Sequence, residues 1–168
     1  MKLAVDVHCD SGGAQAAAVA FEEWSSPEAS RTYTTRVADV GKAPPRGALD
    51  LRKLPCLLQL LADHALEPAV ILIDGFVHLD AQETPGLGQH LYRALGGRSA
   101  VIGLSRAPMA DTPAQFEVFR EEEAGPVVIT CAGIDLGAAK ARVRAMHGKR
   151  RVPTLLKLVA RIAKGGAG

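Results

Sequence analysis

The chain has 168 residues, of which 48% are apolar and 23% are charged. That balance is typical of a globular protein with one sizeable core. No apolar run reaches the roughly 20 residues of a membrane-spanning helix, and Asp6 interrupts the apolar N-terminal segment, so neither a membrane anchor nor a signal peptide is predicted. We expect a single domain over residues 1–168, with a flexible tail at 165–168, located in the cytoplasm.

The charge of the chain is unevenly distributed. The net charge is +2, yet no acidic residue follows Asp135. The segment after Asp135 contains nine bases, whereas the part up to it holds the other 11 bases and all 18 acids. A basic segment on a nearly neutral chain favours an anionic partner such as DNA or RNA, although a solvated helix face gives the same pattern.

The three cysteines are odd in number and share no short spacing, which argues against a disulfide framework and a zinc cluster. Cys9, Cys56 and Cys131 are therefore predicted to be buried, reduced thiols.

The first 40 residues predict an antiparallel meander. The alternating segment 2–8, the Ala/Val-rich segment 14–24 and the Thr-rich segment 31–40 are each typical of a strand, and short turns join them. Two prolines then mark a loop over 41–47.

Helices and buried strands alternate in the rest of the chain. Leucines at helical spacing predict a helix over 52–65 with Asp50 as its N-cap, and a continuous apolar run predicts a buried strand that ends at Asp74. Further helices are predicted at 88–95, 136–146 and 154–163, a strand at 100–104, and a strand pair at 116–120 and 127–131. This order predicts an α/β protein with a ribonuclease H-like mixed sheet, in which three antiparallel strands precede parallel α/β units.

Two aspartates are placed where a metal-dependent site would form. Asp6 lies in the first strand, and Asp74 closes the first buried strand. Ligands collect at the carboxyl ends of parallel strands, so the two side chains face one crevice if their strands are neighbours. A carboxylate pair suits Mg²⁺, which prefers hard oxygen ligands and assists phosphoryl displacement. A single aspartate at the end of a strand more often accepts a hydrogen bond from a loop amide. The prediction of a metal site therefore depends on Asp6 and Asp74 lying close together.

Six segments, in one order along the chain, resemble motifs of the endonuclease V family. They are 4–8, 47–55, 72–75, 86–91, 101–106 and 148–153. The resemblance implies a ribonuclease H-like fold and Mg²⁺-dependent cleavage of DNA or RNA beside inosine or deoxyinosine. It implies catalytic and metal-binding roles for Asp6 and Asp74. The resemblance and the pattern of basic residues together imply that six side chains contact nucleic acid. These are Arg52, His90, Arg106, Lys149, Arg150 and Arg151.

The chain departs from the family pattern at four positions. Lys53 stands in place of a glutamate ligand, Ile134 in place of an active-site histidine, Arg106 in place of a lysine, and Pro44 in place of an aromatic wedge. A cation at a metal site repels Mg²⁺, and Ile134 cannot position or protonate a reactant. Arg106 keeps a positive charge that can hold phosphate. The catalytic site is therefore predicted to be degenerate at Lys53 and Ile134.

Three interpretations are open from the sequence. The preferred one is a nucleic-acid-binding protein of endonuclease V ancestry with weak or no nuclease activity, whose binding is weak and salt-sensitive. The second is an active Mg²⁺-dependent endonuclease with rearranged ligands, for which Asp50 and Asp135 are candidates. The third is an α/β domain that shares only the frame of the family. Lys53 adds a hypothesis, namely that its ammonium replaces Mg²⁺ as a counter-ion within about 4 Å of Asp6 or Asp74.

Overall fold

One mixed sheet with helices on both faces forms the protein. The structure, a computed structural model, describes residues 1–111, 113–121 and 124–166. The strands are β1 (Lys2–Asp10), β2 (Gly13–Phe21), β3 (Arg31–Val37), β4 (Val70–Asp74), β5 (Ala100–Ser105), β6 (Glu117–Val118) and β7 (Val127–Ala132). The helices are α1 (Lys53–Asp63), α2 (Leu87–Ala94), α3 (Leu136–Ala145) and α4 (Thr154–Ala163), with a 3-10 turn at Ala114–Phe116. The predicted α/β class is confirmed.

The order of the strands places β1 beside β4. The sheet runs β3-β2-β1-β4-β5-β7-β6. Strands β1 to β3 form the predicted antiparallel meander, β1, β4 and β5 are parallel, and β7 returns antiparallel to β5. Val5 pairs with Ile73 in the β1–β4 register, so the next residues lie side by side: Asp6, in the middle of β1, and Asp74, the last residue of β4.

Several predicted strand ends are wrong by two or three residues. Strand β2 stops at Phe21 instead of residue 24, because the chain turns there and the Ser30 backbone N–H returns to bond the Ala20 carbonyl. Trp24 leaves the strand and packs edge-on against Phe21, with ring centroids 5.3 Å apart. The predicted strand at 116–120 is shorter, since β6 covers only Glu117–Val118.

Apolar side chains are buried on both faces of the sheet. Helices α1 and α2 cover one face, where they pack against Leu3 and Val5 of β1, and α3 and α4 cover the other, where Ala4 lies. Since side chains alternate along a strand, Asp6 belongs to the same face as Ala4 and α4. Amphipathic α4 buries Leu155, Val159 and Ile162 and exposes Lys157 and Arg161, and the C-cap residue Lys164 is exposed as well, as the spacing predicts.

The start of α1 differs from the prediction. Arg52, not Asp50, is the N-cap residue, and its side chain makes no capping hydrogen bond. Asp50 instead accepts a hydrogen bond from the Arg52 backbone N–H at 3.0 Å and an ion pair from the Arg52 guanidinium at 2.7 Å. The predicted N-cap was wrong because Asp50 bonds the turn that precedes the helix.

The cysteines are free thiols, and only Cys56 is buried. Cys9 and Cys131 are partly exposed, so the prediction of burial is wrong for those two. At the C-terminus, the backbone N–H groups of Gly165 and Gly166 donate to carbonyls of the last turn of α4, while residues 167 and 168 of the predicted tail lie outside the described residues. Within the described part of the chain, no helix has both the length and the apolar character that crossing a bilayer needs.

Candidate carboxylate cleft and basic surface

A small cleft where β4 ends beside the middle of β1 contains both predicted aspartates. Asp6, Lys53 and Asp74 line it together with apolar side chains that include Val7 and Leu57. The cleft encloses about 10 Å³, roughly the space that one water molecule needs. The structure thus brings Asp6, Asp74 and Lys53 into one cleft. The catalytic and metal-binding roles of the two aspartates stay predictions.

The backbone after Asp74 is fixed by the neighbouring strands. Gly75 has a φ of +142°, and its N–H donates to the Leu104 carbonyl at 2.8 Å. A Cβ on Gly103 would lie only 2.5 Å from the Gly75 carbonyl oxygen, so the close approach requires glycine. The buried Thr130 hydroxyl accepts a hydrogen bond from the Val77 N–H at 2.8 Å. These contacts fix the backbone that follows Asp74. The available sequence signal was Gly103, a glycine inside a strand pattern.

Asp6 is a partly buried carboxylate with several charged neighbours. Burial raises the pKa of Asp6 above its ordinary value. The Val7 N–H, which donates to the carboxylate at 2.8 Å, lowers the pKa, as do the charges of Lys53 and Lys164, whereas the charge of Asp74 raises it further. Cations from α1 and from the end of α4 therefore both act on Asp6.

The raised pKa of Asp6 makes protein stability depend on pH. The folded protein favours the protonated carboxyl of Asp6, because burial makes its deprotonation less favourable. The stability that this preference contributes is fully present below the pKa of Asp6 in the unfolded chain. It is lost as the pH rises through the pKa of Asp6 in the folded protein. We expect Asp6→Asn, which keeps an acceptor for the Val7 N–H, to raise the unfolding temperature at pH 7 and to change it little at pH 3. Thermal unfolding at both pH values checks this, and an equal shift at both would contradict it.

The positive charge nearest to Asp74 comes from Arg106 rather than from Lys53. The Arg106 Nη2 atom lies 4.0 Å from the Asp74 Oδ2 atom, and the two side chains are 62% and 35% exposed. Across residues 1–111, 113–121 and 124–166, no ion pair within 4.0 Å joins Lys53 to Asp6 or Asp74. The hypothesis of a direct Lys53 counter-ion is wrong in that form, because the Lys53 amine lies more than 4.0 Å from both carboxylates. Lys53 still lines the same cleft, and its charge acts on Asp6 over that longer distance.

The residues of the cleft fit a divalent cation poorly. Mg²⁺ requires near-octahedral oxygen coordination, and the cleft offers two carboxylates. No group of three or more His, Cys, Asp or Glu side chains able to hold a metal occurs in the part of the chain that the structure describes. Lys53 and Arg106 add positive charge at the place where a cation would bind.

The two acids suggested as substitute ligands are occupied elsewhere. Asp50 pairs with Arg52, and Asp135 is the N-cap of α3, where its carboxylate accepts from the Ala138 N–H at 3.2 Å. Ile134 is half-buried against the apolar cluster under α3 and α4 and does not line the cleft. His90 lies in α2, also outside the cleft lining.

The loop between α3 and α4 is held by an arginine that sequence analysis missed. This basic loop (residues 146–152) contains Lys149, Arg150 and Arg151. The Arg120 guanidinium donates to four of its carbonyl groups, those of Met146 at 2.7 Å, Gly148 at 2.9 Å, Arg150 and Arg151. No local pattern signals this role, since the acceptors lie 26 or more residues further along the chain.

Arg151 connects the basic loop to the cleft. Its Nη2 atom donates to the Arg106 carbonyl at 3.0 Å and to the Pro126 carbonyl at 2.8 Å. A residue predicted to contact nucleic acid is thus engaged within the protein, where it positions the backbone of Arg106.

The other predicted contact residues differ in how available they are. The Arg52 guanidinium is engaged by Asp50, and Arg150 pairs with Glu121 at 2.8 Å. Lys149 is exposed and makes no ion pair within the described residues. Arg106 and Lys149 are therefore the two best placed to receive an external anion.

Solved structures share this arrangement of strands and helices. Endonuclease V from Streptomyces avermitilis has a TM-score of 0.76 and 22% identity, with 97% of this chain and 79% of that one covered. The catalytic domain of human endonuclease V has a TM-score of 0.74 and 18% identity, with coverages of 98% and 80%. The chain has the endonuclease V fold. Ciona intestinalis endonuclease V, in complex with DNA containing an inosine followed by a ribo-adenosine, has a TM-score of 0.69 and 18% identity, with coverages of 98% and 83%.

No family model matches the chain, and no curated protein matches its sequence. The likeness to endonuclease V is therefore one of fold, and it extends over nearly the whole chain.

Proposed function

We propose that this chain is a nucleic-acid-binding protein of endonuclease V ancestry with weak or no nuclease activity. The observation that supports this most directly is the carboxylate cleft, where Lys53 and Arg106 accompany Asp6 and Asp74. Positive charge here opposes Mg²⁺ binding by Coulomb repulsion, which is roughly 4 kcal/mol for unit charges 4 Å apart at moderate dielectric and smaller over the longer distance of Lys53. Lys53 also stands where the resemblance expects a ligand.

Nucleic acid is the proposed partner because an exposed cation, Arg106, lies beside the cleft and others lie on the basic loop that is bonded to it. Arg106 is well exposed and contacts Asp74 at the limit of an ion pair, so most of its guanidinium donors can hydrogen-bond a phosphate group. Arg151 fixes the backbone of Arg106, and Lys149 adds a second exposed cation on the basic loop. Contacts of this kind recognise the phosphate backbone and carry no sequence information.

This proposal predicts weak and salt-sensitive binding. We expect a labelled 24-nucleotide single strand of DNA or RNA to bind at 50 mM salt and to be released by 200 mM, because each phosphate contact releases counter-ions. Arg106→Gln should weaken binding and reduce the slope of log affinity against log salt by about 0.7, the value for one phosphate contact on a single strand. Fluorescence anisotropy measures both effects.

The matched control is Arg98→Gln, which removes an exposed arginine beyond the opposite ends of the strands, just before β5. This variant should keep the parent slope. An absence of binding at 50 mM salt, or binding that is indifferent to salt, would remove the support for nucleic acid as the partner.

The alternative function is an active Mg²⁺-dependent endonuclease with rearranged ligands. One observation favours it: Asp6 and Asp74 lie side by side on adjacent parallel strands. Mg²⁺ is often held by one or two carboxylates together with substrate phosphates, so bound nucleic acid would have to complete the site. Cleavage assays separate the two functions.

A further inference from the structure

A row of unpaired cations runs along the exposed side of α4. Lys157, Arg161 and Lys164 are exposed at spacings of four and three residues, which places them on one helix face over about 10 Å at 1.5 Å per residue. Within the described residues, none of the three takes part in an ion pair. We call Lys157, Arg161 and Lys164 the α4 row.

Helix stability does not account for the whole α4 row. Cations in the last turn of a helix are favoured by its dipole, which suits Arg161 and Lys164. Lys157 lies in the first half of α4, and like charges four residues apart, as in Lys157 and Arg161, destabilise a helix. A charge pattern with this cost is expected where an anionic partner covers it.

The α4 row begins in a groove and runs along the face of the sheet that carries Asp6. At its start, Lys157 and Arg161 line a groove of about 530 Å³ whose other wall is formed by Glu28 and Thr32. At its end, a hydrogen bond joins the helix to the sheet. The Gln15 side chain of β2, opposite His8 of β1, donates to the Ile162 carbonyl of α4 at 2.9 Å. Lys164 follows and acts electrostatically on Asp6. Helix α4 packs on the face of the sheet that carries Ala4 and Asp6, so the row ends on the same side of the sheet as the Asp6 carboxylate.

We propose that the α4 row and this groove hold the sugar-phosphate backbone of a nucleic acid strand that extends away from the cleft. The proposal rests on the proposed function and adds a second contact surface to it. Charge complementarity identifies the occupant. A membrane is disfavoured because a helix that lies on a bilayer directs its apolar face to the lipid, whereas α4 packs its apolar residues against the sheet.

Removing two charges of the α4 row tests the proposal. The parent, Lys157→Gln/Arg161→Gln and the matched control Arg93→Gln/Arg98→Gln are compared by anisotropy with a labelled 24-nucleotide single-stranded DNA. The control removes two exposed cations from the region of α2, on the opposite face of the sheet. The α4 variant should lower the slope of log affinity against log salt by about 1.4, or two phosphate contacts, and the control should leave it unchanged.

Glu28 provides a test in the opposite direction. Its carboxylate lies in the same groove as Lys157 and Arg161, so Glu28→Gln should tighten binding by about two- to fivefold, the size of one exposed charge interaction. Equal slopes for the α4 variant and the control would overturn the α4 surface and leave the proposed function standing. No binding by the parent would overturn both, and binding of phosphatidylserine vesicles without binding of DNA would assign the row to a membrane.

Discussion

Replacing Lys53 by glutamate is expected to create a divalent-cation site in the carboxylate cleft. Lys53 lines the cleft with Asp6 and Asp74, so Lys53→Glu removes a repelling charge and adds a third carboxylate. The change in Coulomb energy is several kcal/mol in order of magnitude, and each 1.4 kcal/mol corresponds to a factor of ten in affinity. We expect the dissociation constant for Mn²⁺, measured by calorimetry, to fall by at least about 100-fold.

Two controls separate ligand creation from a general charge effect. Lys53→Gln removes the charge without adding a carboxylate, so it should tighten Mn²⁺ binding much less. Lys157→Glu makes the same change of charge on the exposed face of α4, remote from Lys53, and should create no site. Tight binding of Mn²⁺ by the parent, or equal gains in Lys53→Glu and Lys157→Glu, would contradict the account of the cleft.

The second large effect is expected on stability when Arg120 is replaced by methionine. Arg120 donates to four carbonyl groups of the basic loop from a half-buried position. A hydrogen bond to a charged group contributes about 1.5–3 kcal/mol, and such contributions do not add fully. Methionine keeps the apolar contacts of the arginine stem, so we expect a loss of about 3 kcal/mol in the free energy of unfolding, measured with urea.

The control for Arg120→Met is Arg142→Met, which replaces an exposed arginine of α3 and should change stability by less than about 0.5 kcal/mol. Hydrogen exchange adds a local measurement. Amides of the basic loop should exchange faster in Arg120→Met, because the loop carbonyls lose their common donor. A stability loss below about 1 kcal/mol, with unchanged exchange in the loop, would show that the loop does not depend on Arg120.

The order of elements and the aspartate pair could be predicted from the sequence because both depend on local patterns. Alternation in β1, an apolar run in β4 and helical spacing in α4 each arise from side chains within one element. The parallel placement of β1 and β4 follows once the meander and the first α/β unit are recognised. The end of β2 was predicted less well, since no glycine or proline occurs between Phe21 and Pro27 to mark the turn.

The contacts that position the cleft could not be predicted, because they join distant parts of the chain. Thr130 bonds the backbone of Val77, which lies 53 residues earlier, and Arg151 bonds the Arg106 carbonyl across 45 residues. The distance between Lys53 and the aspartates depends on where α1 packs, and α1 lies on the face opposite Asp6. Local sequence patterns carry no information on such tertiary geometry.

The most direct test of the central claim is a single-turnover cleavage assay under conditions in which anisotropy shows the substrate to be bound. Inosine-containing single strands of RNA and DNA are incubated with an excess of the protein and Mg²⁺ or Mn²⁺, beside an Asp74→Ala control. The account predicts bound substrate with very weak or undetectable cleavage, close to that of Asp74→Ala. Efficient inosine-directed cleavage that Asp74→Ala abolishes would contradict it and would establish the alternative function, an active endonuclease with rearranged ligands.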